Sequence, residues 1–177
     1  MSKNVLLNSV EHRDLKVITT RGAHYGDAVW FTVTFPKEFR TVQAHYPIFF
    51  HKDSNSNQFF AVTLFGFQDQ ENLFLQQDNW RGCYIPLMLR RQPFLIGQQL
   101  VREDGIETTQ RVIHIDLDNP RVSQTEGEAL FLPFGGNSLI WMKSQSCWKP
   151  FIMACSTAKL LLICCLSINC WNLLLWI

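Results

Sequence analysis

The chain has 177 residues, enough for one domain with a sizeable core, and its formal net charge at pH 7 is +1. A charge this close to zero gives no reason to expect nucleic acid or a strongly acidic partner. The average composition hides a break near Asn137. All 15 acidic residues lie before it, while five of the six cysteines and four of the six tryptophans lie after it. We therefore treat residues 1–137 and 138–177 as two separate regions.

The first region predicts short β-strands separated by turns. Runs rich in β-branched and aromatic residues predict strands at 29–35, 46–50, 59–67 and 72–75. Pro36 ends the first run, and a polar turn at 53–57 follows the second. This spacing favours two antiparallel hairpins. Two further apolar runs follow at 84–89 and 93–96.

The end of the first region alternates as a half-buried strand does. After a turn at 103–105, one face carries Val112, His114 and Asp116, and the other carries Ile113, Ile115 and Leu117. A last short strand is predicted at 129–132. The pattern indicates an α+β fold with a mostly antiparallel β-sheet body, whose apolar face needs a covering layer. We expect helices after Gly136 to supply that layer.

The second region does not look like those helices. Its only charged residues are Lys143, Lys149 and Lys159. Trp and Met have one codon each, and Cys and Asn have two. Several residues encoded by the reading frame that begins one base earlier are therefore fixed. At the positions of residues 142–143 that frame encodes Asp-Glu, at Lys149 it encodes Glu, at 170–172 Leu-Leu-Glu, and at Ile177 Asp. Five acidic residues therefore appear, which is the class that this region lacks.

We infer a one-base shift near the codons of Asn137 and Ser138, so that the chain lacks its C-terminal helical layer. With the remaining codons chosen freely, the earlier frame places apolar residues at helical spacing with acids between them. The competing interpretation is a membrane anchor. Residues 160–177 carry no charge and reach the lower limit of length for crossing a bilayer.

Several long strings of the first region share a resemblance. They include NVLL at 4–7, RGAHYGD at 21–27, QAHYPIFF at 43–50, YIPL at 84–87, RRQPF at 90–94, HID at 114–116 and LFLP at 130–133. Together they resemble the bacterial SapC family almost continuously over residues 1–137.

The resemblance implies a non-enzymatic accessory or interaction protein linked to the cell surface. The family takes its name from a gene linked to bacterial surface layers, and no established enzymatic activity or cofactor comes with it. The same name is used for a permease of peptide uptake systems. The first region has no multi-spanning hydrophobic pattern, which argues against that reading.

His114 and Asp116 form the most suggestive pair for chemistry. A histidine and a carboxylate on one strand face can ligate iron when a distant second histidine completes the site. No histidine follows His114 in this chain. The alternative is an outward polar face on a half-buried strand, and a lone HxD pattern favours that alternative. The metal reading supports a second hypothesis, a cytosolic enzyme or small-ligand binder.

Four other residues are candidate binding positions. His45 and His51 flank an apolar strand, either as ligand or partner contacts or as polar edge positions. Arg90 and Arg91 are suited to an anion or an acidic partner, or they form a solvated strand end. Cys83, the lone thiol of the first region, has no visible activator and is interpreted as a small core residue.

The start of the chain bears on location. It lacks the basic beginning and the continuous apolar stretch of a secretory signal, which predicts a cytoplasmic protein. Membrane association is expected only if residues 160–177 insert. The sequence leaves the partner open, with a protein as one alternative.

The frame hypothesis makes a direct prediction about the gene. Resequencing across the codons of Asn137 and Ser138 should find one base more or one base fewer than this amino-acid sequence requires. The corrected frame should then run without a stop through the codon of Ile177. An unaltered frame would contradict the shift and leave the membrane anchor as the interpretation of the second region.

Overall fold

The computed structural model describes residues 3–103 and 106–133, together with Gly136 and Ser138. Its strands in chain order are β1 (Asn4–Leu6), β2 (Lys16–Val17), β3 (Phe31–Val33), β4 (Ile48–Lys52), β5 (Phe59–Leu64), β6 (Leu75–Gln76), β7 (Asn79–Trp80), β8 (Phe94–Glu103), β9 (Ile106–Asp116), β10 (Val122–Ser123) and β11 (Glu128–Ala129). Two short helices, α1 (Pro36–Val42) and α2 (Leu87–Arg90), accompany them.

The strands form four sheets. The first sheet has the order β1-β9-β8, the second β10-β2-β11 and the third β3-β5-β4, while β6 pairs with β7. Each of these pairings is antiparallel. The predicted α+β class, with a mostly antiparallel β-sheet body, is therefore confirmed.

Alternation along β9 builds the first hydrophobic core. Ile115 is fully buried and lies opposite Val5 of β1 and Phe94 of β8. Ile113 and Leu117 pack against the same cluster, so the predicted apolar face of this strand is confirmed. The other buried members of the first core are Val17, Leu87, Leu130 and Phe131.

The second core is built around Tyr46. Phe65, Phe74 and Trp80 each meet its ring edge to face, with centroids 4.7–6.4 Å apart. The Tyr46 hydroxyl donates to the Tyr84 carbonyl and accepts the indole N–H of Trp80 at 3.0 Å. Burial raises the pKa of Tyr46, because removing the phenol from water disfavours its charged form.

The prediction for residues 29–35 is only partly right. The strand is the three-residue β3, and Pro36 begins helix α1 rather than closing a strand. Proline suits the first turn of a helix, since its fixed φ is already helical and its missing N–H has no intrahelical partner there. The apolar run at 84–89 is likewise not a strand, because its end forms α2.

Glu38 joins these two helices. Its carboxylate lies in α1, is only 3% exposed, and accepts the backbone N–H of Leu87 at the start of α2 at 2.7 Å. The hydroxyls of Tyr84 and Thr34 donate to the same carboxylate at 2.9 and 3.2 Å. A helix of four residues cannot hold itself together, so α2 depends on this contact and on its packing.

The hairpin of β4 and β5 is confirmed. Asp53 closes its turn by accepting the N–H groups of Asn55 and Ser56 and the Ser56 hydroxyl. These hydrogen bonds, led by that of the Ser56 side chain, lower the pKa of Asp53. The strand predicted at 72–75 begins later, as β6, and pairs with β7 in a small separate hairpin.

The second region of the sequence lies outside the described residues except for Ser138, whose N–H donates to the Leu130 carbonyl at 3.1 Å. The predicted boundary after residue 137, the helical layer and the apolar segment 160–177 therefore stay predictions. Within the part of the chain that the structure describes, no helix is long and apolar enough to span a membrane.

Replacing Glu38 with alanine should lower the free energy of unfolding by roughly 3 kcal/mol, because the Leu87 N–H and the Tyr84 hydroxyl lose a charged acceptor. Urea denaturation followed by tryptophan fluorescence measures the change. Glu126→Ala is the matched control, since Glu126 is exposed, and it should cost less than about 0.5 kcal/mol. Equal losses in the two variants would show that Glu38 does not hold the helices.

Candidate functional site

A buried ion-pair cluster is the strongest concentration of charge in the described residues. Asp27 is fully buried. Its Oδ1 lies 3.1 Å from Nη1 of Arg21, and its Oδ2 lies 2.5 Å from Nη2 of Arg121. The N–H of Gly22 also donates to Oδ2 at 3.0 Å. Both carboxylate oxygens are therefore occupied by donors from three positions of the chain.

Arg121 connects distant segments. Its Nη1 donates to the carbonyls of Ile18 and Thr20 at 3.1 and 2.7 Å, and its guanidinium carbon lies 5.5 Å from the centre of the Tyr25 ring. The side chain is only 2% exposed. Its Nε has no hydrogen-bond partner among the described residues.

The cluster carries surplus positive charge, because two guanidinium groups share one carboxylate. Burial lowers the pKa of Arg21, Asp27 acts against that shift, and the positive charges of Arg121 and Arg90 add to it. Arg21 still remains a cation at neutral pH. The arrangement fixes three chain segments. It leaves Asp27 no free oxygen for acid–base chemistry.

The loop that carries the cluster has a local reason for its shape. A 3-10 turn at Ala23–Tyr25 ends at Gly26, whose φ of 83° is left-handed and suits glycine. The turn brings Asp27 back to the N–H of Gly22. The sequence shows this stretch only as one string of the family resemblance. No spacing in the sequence connects it to Arg121, which lies 94 residues after Asp27.

His114 and Asp116 lie on one face of β9, as predicted. The His114 ring covers Gly97 of the neighbouring strand so closely that a Cβ at Gly97 would collide with it. Asp116 accepts the N–H of Asp118 through Oδ1 at 3.2 Å and so shapes the turn after the strand. Both side chains thus have structural contacts.

The metal reading of this pair stays a prediction. Within the described ranges, no three His, Cys, Asp or Glu side chains are grouped closely enough to hold a metal ion. A third ligand for His114 and Asp116 would have to come from elsewhere.

His45 and His51 make aromatic contacts. The exposed His45 stacks on Tyr84, with ring centroids 6.2 Å apart and planes 17° apart. His51 meets Phe60 across the β4–β5 hairpin at 5.1 Å. His45 lies in the turn between α1 and β4, and His51 lies on the edge strand β4. A binding role for either histidine stays a prediction.

The two arginines of the predicted pair lie in different environments. Arg90 is the exposed last residue of α2, and its charge helps to lower the pKa of Arg21, so it lies near the buried cluster. Arg91 is half-buried and donates to the Phe94 carbonyl at 3.3 Å.

The interpretation of Cys83 as a core residue is wrong, because its thiol is exposed. Its neighbour Gly82 lies tight against Tyr46 instead.

The antiparallel sheets and the buried cluster define a β-dominated α+β protein. The chain matches the model of the SapC family over residues 7–156, so it belongs to the SapC family. The match covers the whole cluster and continues past residue 137. No curated protein and no solved structure matches the chain.

Replacing Asp27 with asparagine should lower the free energy of unfolding by about 3–5 kcal/mol, because the guanidinium groups of Arg21 and Arg121 lose the one carboxylate that pairs with them among the described residues. Chemical denaturation measures the loss. Adding Arg121→Met to that variant should cost less than the sum of the single changes, since one unpaired charge is removed. Asp118→Asn, at an exposed position, is the control. A small or additive effect would argue that the cluster does not hold the fold.

Proposed function

We propose that this SapC family member is a non-enzymatic accessory protein that binds a protein partner through the end of its β4–β5 hairpin. The contact surface consists of Phe50, Lys52 and Phe59, which we name the hairpin surface. The exposure of its two aromatic rings carries the proposal: Phe50 is 67% and Phe59 is 62% exposed.

The strand register supports a single surface. Phe50 lies opposite Ala61, and Lys52 lies opposite Phe59. Residues two apart in a strand and directly opposite across a hairpin share one face, so the three side chains are neighbours. Aromatic side chains grouped in solvent are typical of surfaces that bind another protein.

The polar groups support a binding role over catalysis. The carboxylates of Asp27, Glu38 and Asp116 all accept hydrogen bonds that shape the fold. A general base must be free to accept a proton from a substrate, and a general acid must be free to donate one. Structural donors occupy both oxygens of Asp27 and of Glu38, and Oδ1 of Asp116.

The chemistry of the hairpin surface indicates the partner. Two aromatic rings beside one ammonium group suit an apolar pocket with an acidic rim. The proposed location is the cytoplasm. In this proposal, the protein is connected to the cell surface indirectly, by the partner that it binds.

The test compares variants of the tagged full-length chain in cells of its source. Phe50→Glu and Phe59→Glu should each reduce recovery of the same copurified protein at least about 30-fold, as expected for a central aromatic contact. Val10→Glu is the matched control, because Val10 is 86% exposed and outside the hairpin. Its copurified protein should be retained. Equal recovery from all variants would contradict the proposal.

A further inference from the structure

Strand β4 forms an open edge of the third sheet. In the part of the chain that the structure describes, β4 pairs with β5 on one side, and no strand pairs with it on the other. The opposite edge of this sheet is β3, which lies against helix α2. An open edge presents a row of backbone N–H and C=O groups that can pair with a further strand.

Hydrogen bonds at the two ends of β4 show which of its backbone groups face outward. The N–H of Asp53 donates to the Gln58 carbonyl at 2.9 Å, and the N–H of Leu64 donates to the Pro47 carbonyl at 3.3 Å. Hydrogen-bonded positions alternate along each strand of an antiparallel pair, so the odd-numbered residues of β4 bond to β5. Three residues therefore point their N–H and C=O groups away from β5: Ile48, Phe50 and Lys52.

The side chains of β4 do not protect this edge. Natural sheet edges are commonly protected by charged residues, proline or bulges. The edge strand β8 of the first sheet, for example, carries Gln99 and Arg102. Strand β4 pairs with β5 without a bulge, and Lys52 at its end is its only lysine, arginine or acidic residue. In its middle, Phe49 is 52% and Phe50 is 67% exposed.

We propose that two copies of this chain pair antiparallel along their β4 strands, with Phe50 of one copy opposite Phe50 of the other. Two three-stranded sheets then join into one continuous sheet across a two-fold axis. This inference goes beyond the proposed partner binding, because it uses the backbone of the sheet edge rather than the side chains of the hairpin surface.

The number of backbone hydrogen bonds selects this register. With Phe50 opposite its own copy, Ile48 lies opposite Lys52 of the second copy, and all three outward-facing residues of each strand are paired. Each pair exchanges two hydrogen bonds, so the two strands share about six. A register shifted by two residues in either direction would pair only two of the three outward-facing residues and form about four such bonds.

The side chains of β4 are complementary to themselves in this register. The two Phe50 rings are neighbours on one face, and Phe49 lies opposite His51 of the second copy on the other face. Aromatic cross-strand pairs of this kind are favourable. Lys52 lies opposite the aliphatic Ile48, and the two lysines are about 14 Å apart along the strands. That distance exceeds the Debye length in physiological salt, so their repulsion is weak.

The sheet face around the two-fold axis has room for a second copy. Phe50 and Phe59 are 67% and 62% exposed, so the body of the protein does not cover this end of the hairpin. Edge pairing buries backbone groups and leaves both sheet faces open. The dimer therefore places two hairpin surfaces side by side on one face, where a partner with two binding segments would gain affinity from their high effective concentration.

The first test removes one backbone donor without changing a side chain. Replacing Phe50 by phenyllactic acid in the purified full-length chain turns its outward N–H into an ester oxygen. The dimer then lacks two hydrogen bonds, so its dissociation constant in sedimentation equilibrium should rise about 10-fold or more. The same replacement at Phe49 is the matched control, because the N–H of Phe49 bonds to β5. It should destabilise the folded chain and leave the dissociation constant within about 3-fold.

Disulfide trapping tests the register. Phe50→Cys should form a disulfide-linked dimer on oxidation, because directly opposite residues have Cα atoms about 5.5 Å apart, within reach of a disulfide. Lys52→Cys is the control, since its two copies lie about 14 Å apart and should not be linked. Peptide mapping by mass spectrometry distinguishes a bridge between the two positions 50 from one that involves the exposed Cys83.

Three results would overturn the proposal. They are a chain that stays monomeric at every concentration tested, a dimer that tolerates the ester at Phe50, and equal trapping of Phe50→Cys and Lys52→Cys. The last two would show that the copies meet elsewhere or in another register. The partner-binding proposal fails separately. Phe59→Glu lies on β5, away from the paired edge, and tests recovery of the partner without altering the dimer contact.

Discussion

A buried carboxylate with two arginines holds the connections between the sheets. Asp27 receives Arg21 and Arg121, and these arginines also bind the carbonyls of Ile18, Thr20 and Leu89. The segment before β3, the turn before β10 and helix α2 therefore meet at one charge. Burying such a group is costly, so the cluster is stable only while all three partners are in place.

Glu38 has the same role at the other core. It satisfies the first N–H of α2 and the Tyr84 hydroxyl, while Tyr84 also gives its carbonyl to Tyr46. Helix α2 thus lies between the two buried carboxylates, bound to Glu38 at its start and to Arg21 through the Leu89 carbonyl. Its four residues act as a spacer whose position is set by polar contacts at both ends. This arrangement lets very short elements pack reproducibly.

The elements that sequence reasoning predicts well are those with local causes. The β4–β5 hairpin follows from Asp53 and its turn, and β9 from strict alternation. Both helices were missed, because seven and four residues are too few to show a helical period and depend on Glu38. The Asp27–Arg121 pair was invisible, since no pattern links residues 94 positions apart. His114 and Asp116 were placed on the correct face, but the cover that His114 gives Gly97 needs three dimensions.

The length of the β8–β9 hairpin has a consequence for the order of folding. Its ten facing pairs, from Phe94 and Ile115 to Glu103 and Ile106, join residues that are close in sequence. Closing such a ribbon loses little chain entropy and takes on the order of microseconds. The Asp27–Arg121 contact encloses that entire ribbon and must wait for a far larger loop to close. Contact order therefore favours early formation of the ribbon and later formation of the ion-pair cluster.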